Sequence, residues 1–460
     1  MGGPRPKIET TAGSARRWWR RTRFAGVLIA VLAIAAFGIW RIGRSDEIGP
    51  GRAGPNVLLI VMDTTRGDRC TFNGYDRPTT PRIAAFAEDA VVFRRAYVPG
   101  GWTGPTHASL FTGLRPEHHG LLNGIRLYLT QEALTVAEVL HQAGWRTAGW
   151  SSNAYVSPDL GLSQGFEQFH MLLEPPRPDG KTAARIHRLA LDYMKNANAR
   201  GESFFVFIND IQPHAPYAPP EEYEKSFIDA STPRAKIELV RRYDPERGHR
   251  FLTDRSVIPD DMMKIRSDLY DAEIAALDAA VGDLLDAVRE ANLLDDTIVI
   301  ITSDHGEHFG EGGRVEHNYS LYHPILHVPL VVRIPGRMEG GRTVDAAVRL
   351  EDLAPTIFEA CGVDVPSGLD GESLFQIDPA NPRIVRASFG PQPPPRVRVV
   401  VPPELRRALR SVIDGRWHLV RDSAGVERLF DLDADPLEAH DLAVERPDIR
   451  DRLRELLPER

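Results

Sequence analysis

The sequence predicts an α/β protein built on a doubly wound sheet, and three observations carry that expectation. Apolar, β-branched runs of strand length recur at residues 56–62, 204–208 and 297–303, and runs of this kind suit strands covered on both faces. Segments with helical spacing lie between them. Each run ends in a cluster of polar residues, and the carboxyl ends of strands are where open α/β sheets build their sites.

In chain order, residues 24–40 come first as an uncharged apolar run. Arg16, Arg17, Arg20, Arg21 and Arg23 precede it, and Arg41 and Arg44 follow. This predicts a basic cytoplasmic segment (1–23), a transmembrane signal-anchor helix (24–40) and a linker (41–54), with a cleaved signal peptide as the alternative. The arginine excess keeps the N-terminus cytoplasmic and sends the body of a single-pass membrane protein to the outer, periplasmic or extracellular side. Residues 1–44 hold nine Lys or Arg against one acid, so a chain of net charge −8 carries −16 on the remainder. An acidic body without a basic stripe excludes a general nucleic-acid grip. Cys70 and Cys361, far apart and alone, exclude a disulfide framework or a zinc–thiolate site.

The first strand runs into Asp63-Thr64-Thr65-Arg66-Gly67-Asp68. Pro81, Ile83, Phe86, Ala87 and Ala90 then repeat at helical spacing. In Gly101-Trp102-Thr103-Gly104-Pro105-Thr106-His107, two glycines and a proline predict a turn, with a helix over 106–111. Thr103 then lies just ahead of a helix N-terminus, whose partial positive charge and free N–H groups suit a tetrahedral anion; a plain N-cap is the alternative. A helix over 133–143 and a strand over 147–151 come next. The run 204–208 leads into Asn209 and Asp210 and then His214, held in a loop with prolines on both sides. A long amphipathic helix carries Leu269, Ile274, Leu277, Val281, Leu284 and Val288. The run 297–303 ends at Asp304-His305-Gly306-Glu307, a glycine-rich loop over 309–318 bears His317, and 328–332 returns to the core. The catalytic domain spans 55–375. A proline-rich change of texture opens a smaller C-terminal α+β subdomain, 376–460.

Asp63, Asp304 and His305 offer two carboxylates and an imidazole at strand ends. They suit a divalent cation (Ca, Mn or Zn), with the Thr103 hydroxyl as a further ligand and the nucleophile. Such a cation lowers the pKa of the hydroxyl and screens an incoming ester anion. His107, His214 and His317 are the further catalytic candidates, and Asn123 and Asn318 the substrate-binding ones. Asp210, His214 and His317 form a possible second metal site.

Together these stretches resemble the sulfatases of the alkaline phosphatase superfamily. The likeness lies in the Asp63 block, Thr79-Thr80-Pro81, the Thr103 stretch ending in Ser109-Leu110-Phe111-Thr112-Gly113, Pro213-His214-Ala215-Pro216-Tyr217, the Asp304 block, Asp352-Leu353-Ala354-Pro355-Thr356 and Leu429-Phe430-Asp431-Leu432-Asp433. It covers nearly the whole body from about Asn56. It implies an alkaline-phosphatase-like α/β/α sandwich with a small C-terminal domain, and metal-assisted attack on a sulfate or phosphate ester.

Several positions depart from the family pattern. Thr103 stands where the family has the cysteine that becomes formylglycine, and Pro105 and His107 stand where proline and arginine follow it. Thr64 replaces the second aspartate of the first block and is carried over as a metal ligand. His317 replaces a lysine. A formylglycine hydrate has a second hydroxyl that expels the sulfuryl group, and a threonine adduct has none. Water or another acceptor must then attack, which suits phosphorus better than sulfur. The leading expectation is a membrane-anchored hydrolase of small-molecule, lipid or glycan esters. The alternatives are a phospho-group transferase acting on envelope lipids or glycans, and a catalytically silent binding relative.

Overall fold

The computed structural model describes residues 3, 53–122, 126–173, 181–242, 245–317, 319–378, 381–392 and 401–458. The expected anchor run 24–40, Asn123 and Asn318 lie outside the described residues. Among the described residues no helix is long and apolar enough to cross a membrane. Residues from Gly51 to Arg460 form one compact unit.

Eight strands make the central sheet: β1 (Asn56–Met62), β2 (Val91–Phe93), β3 (Arg146–Ser151), β4 (Gln168–Met171), β5 (Phe204–Asp210), β6 (Thr297–Thr302), β7 (Leu330–Arg333) and β8 (Arg342–Val344). Their spatial order is β8-β2-β7-β6-β1-β5-β3-β4. Only β7 runs against its neighbours, β2 and β6. The middle of the sheet, β6-β1-β5-β3, is parallel, and register pairs Val61 with both Thr302 and Asn209. Strand ends that carry Asp63, Asp304, Asn209 and Asn153 therefore meet at one edge.

Alternation along the strands sorts side chains into two cores. Val57, Leu59 and Val61 of β1 join Phe205 and Phe207 of β5 and Ile298 and Ile300 of β6 on one face. Leu58, Ile60, Met62, Phe204, Val206, Ile208, Val299 and Ile301 fill the other. Among the helices that cover these faces are α1 (Thr103–Thr112), α2 (Val136–Gln142), α3 (Lys181–Ala199) and α4 (Asp260–Glu290). Helices α1 and α2 pack on the first face, α3 and α4 on the second, giving an α/β/α sandwich. Each fully buried Leu, Ile or Phe contributes about 1.5–3 kcal/mol relative to exposure. Helix α2 starts three residues later than the expected 133, at a capping box in which the Thr135 hydroxyl accepts from the Glu138 amide and the Glu138 carboxylate accepts from the Thr135 amide.

Helix α1 begins at Thr103 itself, three residues earlier than the turn signals suggest. Pro105 is tolerated inside its first turn because its missing N–H has no intrahelical partner there. The first helical bond is donated by the Thr106 amide to the Trp102 carbonyl, 3.2 Å. Trp102 is the N-cap and makes no side-chain capping bond, so the hydroxyl of Thr103 is not used as a cap.

The C-terminal part is a four-stranded antiparallel sheet of β9 (Val385–Phe389), β10 (Leu409–Asp414), β11 (Trp417–Asp422) and β12 (Glu427–Asp431), followed by a helix, Pro447–Arg454. It shares the main core: Val385, Ala387, Phe389, Ile413 and Leu432 are buried with the residues of the first face. The proline-rich opening of this part supplies a strand, because Val385–Phe389 lies between Pro382 and Pro391 and those prolines bound it without interrupting it.

Candidate active site

Asp63 follows β1 and Asp304 follows β6, and the register brings them side by side. Asp63, Asp304 and His305 each offer a ligand atom within 4.8 Å of the others, and all three are fully buried. Each carboxylate is half held. Asp63 Oδ2 accepts from Asn153 Nδ2 at 2.6 Å, and Asp304 Oδ1 accepts from the Thr64 amide at 3.1 Å and its neighbour His305's amide at 3.0 Å. Asp63 Oδ1 and Asp304 Oδ2 are buried without any hydrogen-bond partner. His305 Nδ1 lies 3.0 Å from the Gly306 carbonyl. An N–H there leaves Nε2 with its lone pair, the tautomer a metal needs. Two orphaned carboxylate oxygens and one free imidazole nitrogen fit a divalent cation.

Thr64 supplies more than an amide. Its backbone is in the left-handed region at φ 56°, rare for a β-branched residue. The turn is held by Tyr270, whose hydroxyl donates to the Thr64 carbonyl at 2.7 Å. The Thr64 hydroxyl is buried and unpartnered, so it remains available beside the carboxylates.

Thr103 Oγ1 lies 3.3 Å from His305 Nε2, at the N-terminus of α1. His107, one turn on, is buried behind it: Nδ1 lies 2.9 Å from the Thr103 carbonyl and 3.6 Å from Asp304 Oδ2, and Nε2 is 3.5 Å from Asn209 Nδ2. His107 is thereby wedged between helix and strand, and it can orient Asp304 and the Thr103 turn.

A second cluster adjoins the first. The rings of His305 and His317 are 4.4 Å apart, and those of His317 and His214 are 5.1 Å apart. His317 Nδ1 stands 3.4 Å from Glu307 Oε1, and Tyr217 donates to Glu307 Oε2 at 3.1 Å. His214 Nδ1 donates to the Ala215 carbonyl at 2.6 Å, which fixes its ring in the proline loop.

The profile of the family described as Sulfatase matches residues 55–363. The chain belongs to the sulfatase family. It is 26% identical to an ulvan-active sulfatase of Formosa agariphila, over 84% of this chain and 77% of that protein. It is 25% identical to arylsulfatase K of Homo sapiens, over 92% of this chain and 85% of the relative. A phosphonate monoester hydrolase from Silicibacter pomeroyi has the same fold, with TM-score 0.71 at 22% identity, covering 87% of this chain and 94% of that one. The chain is thus a sulfatase-family hydrolase acting on ester bonds, a family that typically depends on a divalent metal.

Asp210 does not join His214 and His317 in this sulfatase-family chain. Along β5, Phe207 and Asn209 face the active-site layer, while Ile208 and Asp210 face the opposite one. The Asp210 carboxylate pairs with His187 of α3 at 2.8 Å, and His187 in turn meets the Ala280 carbonyl of α4 at 3.1 Å. The expectation of a second metal site at Asp210, His214 and His317 is therefore corrected: its carboxylate belongs to the far core. Three residues without an assigned role in the sequence reading do take part: Asn153, Asn209 and Glu307. Asn153 and Asn209 each follow or end an apolar strand beside Asp63, and Glu307 is two residues past His305.

Charge in the sulfatase site is unbalanced. Burial, and then Asp304, hold Asp63 well above 3.8. Burial also works to raise Asp304, but His305, His107 and the Thr64 amide outweigh it and leave that carboxyl below 3.8. Burial pushes His305 down to about 4 and lowers His107, so both are neutral at pH 7. His317 moves the other way: burial opposes its charge, but Glu307 overcomes this and raises it, while Glu307 itself is drawn down to about 2.

A raised Asp63 stabilises the metal-free protein below about 3.8, the value of the unfolded carboxyl, and that contribution is lost as pH rises through its folded value. Asp63→Asn, compared with wild type in chelator, is expected to remove this slope and to be the more stable protein at pH 7. A divalent cation at 100 times its dissociation constant is expected to stabilise wild type by about 2.7 kcal/mol and to leave Asp63→Asn much less affected. Thermal denaturation across pH, with and without Mn²⁺, reads both effects; equal metal stabilisation of the two proteins would contradict the assignment.

Proposed function

We propose that this sulfatase-family hydrolase uses Thr103 as its nucleophile on a divalent cation held by Asp63, Asp304 and His305, with Thr64 as a further ligand, and that phosphate esters are its preferred substrates. The observation that carries the reading is the 3.3 Å approach of Thr103 Oγ1 to His305 Nε2, beside two carboxylate oxygens that have no partner. An imidazole in the donor set favours Mn²⁺ or Zn²⁺ over Ca²⁺. When bound, the cation lowers the pKa of the hydroxyl and neutralises an ester oxygen.

The chain's own residues do the rest. Thr103 attacks the phosphorus from the first turn of α1, where free N–H groups and the helix dipole favour the added negative charge. His317, whose protonated form Glu307 favours, pairs with the ester anion. His214, fixed at Nδ1, delivers or takes a proton at the leaving oxygen. His107 positions Asp304 and the nucleophile's turn. Asn123 and Asn318 are proposed to contact the substrate. Water then displaces the phosphoryl group from Thr103.

The fold by itself does not choose between sulfur and phosphorus, since it is shared with a phosphonate monoester hydrolase as well as with glycan sulfatases. The choice rests on Thr103, which lacks the second hydroxyl that releases sulfate from a formylglycine hydrate. The substrate class extends to small-molecule, lipid and glycan esters, in keeping with the ulvan-active relative. We further propose that the run 24–40 anchors the protein in the cell membrane as a single-pass helix, with the catalytic body outside.

Thr103→Ala is expected to lose roughly 10³-fold or more in kcat on an aryl phosphodiester supplied with Mn²⁺. Wild type is expected to turn over the aryl phosphodiester faster than the matched aryl sulfate. Thr103-dependent hydrolysis of aryl sulfate exceeding that of the diester would overturn the preference for phosphorus. Full-length protein is expected to stay in the membrane pellet after alkaline carbonate washing; release into the supernatant would overturn the anchor.

A further inference from the structure

The residue immediately before the proposed nucleophile is a tryptophan. Trp102 follows two glycines at close backbone approaches, with no room for a side chain at Gly101 and a tight fit at Gly100. A Cβ on Gly101 would lie 2.6 Å from the Ser320 carbonyl oxygen, and one on Gly100 would lie 3.2 Å from the Ser388 carbonyl oxygen. After Trp102 the backbone enters α1 at once, with the Trp102 carbonyl accepting from both the amide and the hydroxyl of Thr106. The indole is stacked on Phe389 of β9, with centroids 6.3 Å apart and planes at 26°, and Phe389 is buried. Trp102 is partly exposed.

A second ring stands almost perpendicular to it. Tyr155 meets Trp102 at 6.3 Å and 73°, and is 55% exposed. Tyr155 is tied to the metal triad by two bonds in series: its amide donates to Asn153 Oδ1 at 2.8 Å, and Asn153 Nδ2 donates to Asp63 Oδ2 at 2.6 Å. One residue of the corner is thus joined to Thr103 by a peptide bond, and the backbone of the other is linked through Asn153 to Asp63.

We infer that Trp102 and Tyr155 form the subsite that receives the organic part of the ester, and that this part is a ring with an apolar face, either aryl or pyranose. Two aromatic side chains with planes at 73°, one of them stacked on buried Phe389, offer a floor and a wall to a flat group. They do so at little entropic cost, because Phe389 and the tight glycine turn already hold the floor. Simple alkyl chains gain less from such a corner, having no face to stack. The inference rests on the hydrolase reading for where the ester group sits, but the recognition it describes can be read by binding alone.

The test uses Thr103→Ala protein with Mn²⁺, titrated by calorimetry with phenyl phosphate, glucose 6-phosphate and hexyl phosphate, alongside the same protein carrying Tyr155→Ala. At least one of the two ring-bearing esters is expected to bind more tightly than hexyl phosphate. Tyr155→Ala should weaken that ester roughly five- to tenfold while leaving hexyl phosphate unchanged, which also shows that the variant is folded. Whichever ring binds more tightly identifies the source as aryl or pyranose. Trp102→Phe, which keeps a ring on Phe389 but narrows the floor, should give a smaller loss in the same ester. Equal weakening of all three ligands, tighter binding of hexyl phosphate, or no ring-bearing ester responding to Tyr155→Ala would overturn the inference. Failure of Thr103 to matter in turnover would instead count against the nucleophile and leave these binding results standing.

Discussion

Two carboxylates buried side by side at the ends of adjacent parallel strands are the constraint on which the rest of this molecule depends. Register brings Asp63 and Asp304 together, and neither makes a salt bridge to a Lys or Arg among the described residues. A bare buried charge costs several kcal/mol. The surroundings reduce that cost without removing it: Asn153 binds one oxygen of Asp63, and the amides of Thr64 and His305 bind one oxygen of Asp304. What remains is a pair of oxygens and an imidazole nitrogen within 4.8 Å of one another, a set that fits a divalent cation as counter-charge. The left-handed backbone at Thr64 and the hydroxyl of Tyr270 are part of the same arrangement, since they hold the turn that delivers the Thr64 amide.

Thr103, the proposed nucleophile, lies beside that group, its Oγ1 3.3 Å from His305 Nε2. Starting α1 at Thr103 rather than beyond it puts the hydroxyl at the helix's positive end and leaves it uncapped. His107 then falls one turn below, where it braces both the helix and Asp304. Burial keeps His305 and His107 neutral at pH 7, while Glu307 favours the protonated form of His317, at the position where the sulfatase pattern has lysine. The proposed preference for phosphorus rests on the threonine, which lacks the second hydroxyl of a formylglycine hydrate.

The central strands and the metal triad were legible in the sequence because continuous apolar runs identify strands covered on both faces, and because sites collect at their carboxyl ends. The same strands carried a finer signal that the residue-type reading passed over. Period-two alternation puts Asn209 with Phe207 and Asp210 with Ile208, so parity alone separates the residue beside His107 from the one that turns away. The partner of Asp210 was beyond such reasoning: His187 reaches it only because α3 packs on the far face. The start of α1 was misplaced because proline reads as a breaker, although the first turn of a helix does not need its N–H. Strand β9 was hidden among prolines, and its membership of the core depends on Phe389 meeting residues almost three hundred positions earlier.

The central claim is that Thr103 is transiently bonded to the group being transferred. The stereochemical course of hydrolysis at a phosphorus made chiral with oxygen isotopes or sulfur tests this without requiring the adduct to accumulate. Attack by Thr103 followed by attack by water comprises two inversions, so the account predicts net retention. Net inversion, the signature of water attacking the ester directly, would contradict it.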